Sequence, residues 1–196
     1  GFFPFEALDS AETYGSDFIG HPTRNVPGIE QNTGALGHGL SFAVGMALAA
    51  KMNGRNDRIF AIMGDGELAE GSIWEASASA ANYHLDNLVA IVDRNTLQIS
   101  GRTENVMAME PLDEKFAAFG FAVRSVDGNS IPDLIGVFEN LPFEAGKPNL
   151  ILANTVKGKG ISFIEDQVQW HHHVPTDAEF DTAMLELDEV EKALGD

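Results

Sequence analysis

The chain has no cysteine, which excludes disulfides, thiolate metal sites and cysteine nucleophiles. It is poor in positive charge: 12 Lys and Arg stand against 30 Asp and Glu, a formal charge of −18. Such a surplus repels nucleic acid and anionic lipid, so neither is an expected partner. No apolar run approaches the ~20 residues of a membrane-spanning helix, and no charged-then-apolar leader is visible. A cytoplasmic protein is therefore the expectation. Any anionic ligand would need a local device, a metal ion or a helix N-terminus, to overcome the overall field.

With 196 residues, of which 44% are hydrophobic, the chain is long enough to bury the core of one domain. Four continuous Ile/Val-rich runs read as buried parallel strands: Arg58 to Gly64, Asn87 to Asp93, Phe121 to Val126 and Asn149 to Val156. Helical patterns lie at Gly34 to Met52, Gly71 to Tyr83, Leu112 to Phe119, Ile131 to Leu141 and Ala178 to Leu194. The last carries Phe180, Met184, Leu187, Val190 and Leu194 on one face. The alternation predicts an α/β fold, a mostly parallel sheet with helices on both faces. Chemistry is then expected at the carboxyl ends of the strands. The opening 28 residues show no strand-like run and no initiator Met, so residues 1–196 are expected to form a single domain that lacks its first elements.

The first strand ends in Gly64-Asp65-Gly66 and the second runs into Asp93-Arg94-Asn95. Adjacent parallel strands bring such tips together, and the helix after the first would point its amides into the same crevice. Asp65 and Asn95 then offer two hard oxygens to one Mg²⁺, or Ca²⁺, with a diphosphate, water and a backbone carbonyl such as that of Leu97 completing the shell. The metal would bridge the protein's acid to an anionic ligand. Asp-Gly after a strand is also common turn chemistry; the pairing with Asp93-x-Asn95 favours the ligand site.

These two segments resemble the thiamine-diphosphate motif of the thiamine enzymes. Three more narrow the resemblance to the N-terminal, diphosphate-binding half of transketolases: Gly20-His21-Pro22, Pro27-Gly28-Ile29-Glu30 running to Thr33-Gly34-Ala35-Leu36-Gly37-His38-Gly39, and Glu70-Gly71-Ser72-Ile73-Trp74-Glu75-Ala76. The resemblance implies thiamine diphosphate and Mg²⁺ (Ca²⁺ or Mn²⁺ as alternatives), with the metal on Asp65, Asn95 and the Leu97 carbonyl. Gly64, Gly66 and Glu67 would shape the diphosphate turn, and backbone at Gly34 and Leu36 would meet the aminopyrimidine. His21 and His171 would contact the ketose, His171 the diphosphate as well, and Glu70 would lie at an interface between subunits. In that family the glutamate that activates the cofactor belongs to a pyrimidine-binding domain, which is expected to lie outside residues 1–196. The resemblance therefore implies either a half-length subunit with a partner chain, in a two-plus-two assembly or as a homodimer, or a fragment of a longer chain. The implied reaction transfers a two-carbon ketol unit from a sugar or sugar phosphate to an aldose. Pentose phosphates are the first expectation, with sulfonated or branched ketoses open. The α-subunit of a 2-oxoacid dehydrogenase and a non-catalytic cofactor-binding homologue are the rival readings.

Other motifs carry less. Gly34, Gly37, Gly39 and Gly45 permit close backbone approach, but their spacing is not the dinucleotide fingerprint. His171, His172 and His173 cannot converge on one ion from adjacent positions, and Trp170-His171 matches the family's Trp-His pair. His84 is expected at the surface, and Trp74 is expected to pack its helix.

Overall fold

The computed structural model describes residues 1–195. Its centre is a parallel four-stranded sheet of β1 (Ile59–Gly64), β2 (Leu88–Arg94), β5 (Ala122–Asp127) and β6 (Asn149–Asn154), in the order β1-β2-β6-β5. The expected strands are thus all present, to within two residues at their ends. A small antiparallel pair, β3 (Leu97–Gln98) and β4 (Gly101–Arg102), follows β2 directly. It was not expected, because two-residue strands give no periodicity to read.

Among the described residues the helices that pack on this sheet are α1 (Gly39–Met52), α2 (Gly71–Asn82), α4 (Leu112–Ala118) and α5 (Ile131–Glu139), while the short α3 (Thr103–Val106) follows β4 and packs on it. The main core fills one face, where Leu40, Ala47, Ile73, Ala80 and Phe116 pack on Met63, Leu88, Val92 and Leu150. On the other face Val89 and Ile151 meet Val137, Phe138 and Leu141. The α/β architecture covered on both faces is as expected, although the second layer is thinner. Trp74 stacks against Phe116 and Phe119 and donates from Nε1 to the Leu68 carbonyl at 3.0 Å. His84 is exposed, with φ +51° at the end of α2.

Two local expectations are corrected. The first helix begins at Gly39, not Gly34, because Gly34 and Gly37 have φ of +97° and +82° and cannot continue a right-handed helix. After Gly64 the chain enters a 3-10 turn, Asp65–Ala69, before α2 begins at Gly71, so the amides beside Asp65 belong to that turn and not to the helix. The terminal helix, α6 (Asp177–Leu194), starts with a capping box in which Thr176 and Glu179 bond reciprocally. Its apolar positions remain exposed: Phe180, Met184, Leu187, Val190 and Leu194 all face solvent. No helix of the described residues is long and apolar enough to cross a membrane.

Candidate cofactor site

The parallel register sets Gly64 beside Asp93, so the tips of β1 and β2 deliver Asp65 and Asn95 to one crevice. Both are buried, at 4% and 8% exposure. Asp65 accepts the Gly66 amide at 2.9 Å and the Thr96 amide at 2.6 Å, one on each carboxylate oxygen. Burial pushes the Asp65 carboxyl above its ordinary pKa, against the pull of those two amides, and the charge of Asp93 adds to the rise. A carboxylate in that condition is stabilised by a cation. Asn95 Oδ1 accepts the Leu97 amide at 3.0 Å, which folds the chain so that Leu97 follows at the same tip. Asp93 itself is engaged by the Thr155 hydroxyl from the next strand end.

Thr96, which follows Asn95, has φ +66°, a conformation that costs a β-branched residue about 1–3 kcal/mol. It is held there by the Asp65 carboxylate, by the Thr103 amide on its carbonyl at 2.9 Å, and by Arg102 on its hydroxyl at 2.9 Å. Sequence inspection passed over this residue; a threonine in a left-handed position leaves no signature in composition.

Glu67 joins the strand tip to the glycine-rich segment. Its Oε1 accepts the Gly37 amide at 2.8 Å and its Oε2 the Gly64 amide at 3.3 Å. From the other side the Ser72 hydroxyl donates to the Gly37 carbonyl at 2.8 Å. Gly37 is pressed so closely on α2 that an added Cβ would lie 2.6 Å from the Glu70 Cβ and the Ser72 Oγ. Gly34 is packed in the same way: a Cβ there would fall 2.8 Å from the His21 ring. Gly66 lies against Gln98, 2.8 Å from its Cβ by the same measure. The glycines thus serve contacts within the protein as well as leaving backbone accessible.

A cleft of about 800 Å³ is lined by Gly34, Leu36, Phe42 and Glu67 together with Arg58 and Phe60. Asp65, Asn95 and Leu97 are not among its lining residues, so the expected site residues divide between the crevice and the cleft, with Glu67 at their junction. His171 closes a 3-10 turn, Val168–His171, that packs on β3. Its Nδ1 is buried without a hydrogen-bond partner. Burial lowers its pKa, with the charges of Lys157 and His172 acting in the same direction. His172 is exposed, and His173 lies 3.5 Å from Glu179. Of the three histidines, His171 faces inward. Lys157, whose charge acts on His171, adds positive charge here. Among the described residues no cluster of three His, Asp or Glu side chains could hold a metal alone. The oxygen set at the strand tips is one carboxylate and one amide, which requires the ligand's own oxygens to complete a shell.

Fold and site together define an α/β cofactor-binding domain that works at the carboxyl edge of a parallel sheet. The family model for the thiamine diphosphate binding domain of transketolase matches residues 2–187. The chain belongs to the transketolase family, as the N-terminal thiamine-diphosphate-binding part. It is 49% identical over 189 residues to one of the subunits of the apulose-4-phosphate transketolase of Phocaeicola vulgatus, covering 96% of this chain and 67% of that protein. It is 42% identical over 189 residues to a 6-deoxy-6-sulfo-D-fructose transketolase subunit of a Clostridium species, covering 96% of this chain and 69% of that one. The crystal structure of transketolase from Campylobacter jejuni superposes with a TM-score of 0.80 at 28% identity, over 96% of this chain and 34% of the other. The chain therefore spans about two thirds of those curated relatives and about a third of that transketolase.

Proposed function

We propose that this chain is the cofactor-binding subunit of a split transketolase, holding thiamine diphosphate through Mg²⁺ and transferring a two-carbon ketol unit from a ketose to an aldose. The observation that carries the reading is the pair of buried oxygen donors, Asp65 and Asn95, at neighbouring strand tips beside the Leu97 loop. The residues fit the group: a desolvated carboxylate calls for a cation, each ligand oxygen retains a free lone pair, and the unpartnered His171 Nδ1 awaits a donor or acceptor. When bound, thiamine diphosphate supplies the thiazolium carbon that makes and breaks the carbon–carbon bond next to a ketose carbonyl.

In this reading Asp65, Asn95 and the Leu97 carbonyl hold the metal, while Gly64, Gly66 and Glu67 fix the turn that takes the diphosphate. Gly34 and Leu36 offer backbone to the aminopyrimidine. His21, packed on Gly34, and His171, turned inward, orient the ketose by hydrogen bonds. Glu70 faces a neighbouring subunit, and a partner chain carrying the pyrimidine-binding domain supplies the activating glutamate. The names of the relatives support a ketose phosphate or sulfonate outside the ordinary pentose phosphates.

The test is calorimetric titration of thiamine diphosphate with Mg²⁺ or with EDTA, together with a two-carbon transfer assay in the presence of the partner chain. Binding is expected to vanish in EDTA, and Asp65→Ala is expected to weaken it by about 100-fold. Binding that survives both changes would overturn the metal-bridged site. Cofactor binding with the partner complete but no transfer from any phosphorylated or sulfonated ketose would leave a non-catalytic homologue instead.

A further inference from the structure

Arg102 connects the Asn95–Leu97 loop to the segment that carries His171. It stands on β4 opposite Leu97 in the antiparallel register. One guanidinium nitrogen donates to Thr96 Oγ1 at 2.9 Å and to Asp166 Oδ1 at 2.6 Å; the other donates to Asp166 Oδ2. The guanidinium also holds the Asp166 carboxyl below its ordinary pKa.

Both residues that Arg102 grips have positive φ, +66° at Thr96 and +59° at Asp166. Side chains with a Cβ adopt this region rarely, so each needs its surroundings to hold it. Thr96 presents its amide to Asp65. Asp166 donates its own amide to the Lys157 carbonyl at 2.9 Å, and five residues later the chain reaches His171, whose turn packs on β3. A disturbance at Arg102 therefore reaches both the oxygen donors and the inward histidine.

We propose that the Arg102–Asp166 pair is a latch that positions the Lys157–His171 segment over the Asn95–Leu97 loop, with Arg102 as a positioning residue for the cofactor site. The proposal rests on the reading of that site given above. Both side chains are nearly half exposed, and exposed ion pairs add little to overall stability. The latch should therefore order the site locally without holding the fold together. A lysine at 102 would keep the charge but lose the planar two-pronged grip.

The experiment compares Arg102→Ala, Asp166→Ala, the double variant and Arg102→Lys with the parent protein, by three readouts. These are amide hydrogen exchange of residues 95–103 and 157–171 without ligand, thiamine diphosphate affinity with Mg²⁺, and the urea midpoint. Each alanine variant is expected to speed exchange in both segments and to weaken the cofactor by about tenfold. The double variant should be no worse than either single one, because the two groups act as a unit. Arg102→Lys should fall between, and the urea midpoint should stay in place. Unchanged exchange in the two segments, single losses that add in the double variant, or a urea midpoint that falls in step with affinity would each overturn the latch. If the parent protein binds no thiamine diphosphate even with the partner chain added, the proposed function fails, whereas the exchange data still decide the latch.

Discussion

The Gly37 amide donates to Glu67 Oε1 at 2.8 Å, across 30 residues of sequence, and the second oxygen of the same carboxylate takes the amide of Gly64. One side chain thus fixes the distance between the glycine-rich turn and the end of β1. Both amides would otherwise have to find another partner in a partly buried setting.

Glu67→Ala should cost about 1–3 kcal/mol in urea unfolding, since two part-buried donors lose a charged acceptor. Glu67→Gln should cost less, because its single carbonyl oxygen can still accept one of the two. A midpoint for Glu67→Ala equal to that of the parent would show that the carboxylate does not brace the turn.

Gly37→Ala and Gly39→Ala make a matched pair two residues apart. At Gly37 the backbone is left-handed and a methyl would meet Glu70 and Ser72 at 2.6 Å. That substitution should destabilise by more than about 1 kcal/mol. At Gly39, in the first turn of α1, nothing lies within 4 Å of an added Cβ. There alanine should be neutral, or stabilising by about 0.5 kcal/mol. Thermal unfolding of the two variants checks the contrast, and equal effects would refute it.

Asp86 gives the fold an acid-sensitive contact. Its Oδ1 lies 2.6 Å from Lys51 Nζ at the end of α1, and its Oδ2 accepts the Gly146 amide at 2.9 Å. The hydrogen bond from Lys51 is the main cause of a lowered carboxyl pKa, with the Gly146 amide acting the same way against the cost of burial. A depressed folded pKa contributes stability above the unfolded carboxyl value and loses it as pH falls through the folded value. Asp86→Asn should therefore cost about 1 kcal/mol at pH 7. The gap to the parent should close progressively below about pH 4. A gap that is constant from pH 7 to pH 2 would rule out the carboxylate's charge as its source.

Much of this was legible along the chain, for reasons tied to particular residues. Continuous β-branched-rich apolar runs such as Leu88-Val89-Ala90-Ile91-Val92, too short for a helix and spaced by helical patterns, favour buried strands, and their ends located Asp65 and Asn95. Trp74 and His84 lie where local pattern puts them. The start of α1 was misjudged because Gly34 and Gly37 are small and fit a helical stripe, while their positive φ depends on what packs against them. The β3–β4 pair and the 3-10 turn after Gly64 are too short for any period to show.

The sequence by itself determined the strands, the helices of the sheet layers and the place of Asp65 and Asn95 at strand ends, because periodicity and residue chemistry are local properties. Only the tertiary structure decided which groups meet: Gly37 with Glu67, Gly34 with His21, Arg102 with Thr96 and Asp166, and His171 rather than His172 or His173 turned inward. Those pairings follow from strand order and from left-handed turns, and both depend on contacts between residues distant in sequence, which no local window of residues contains.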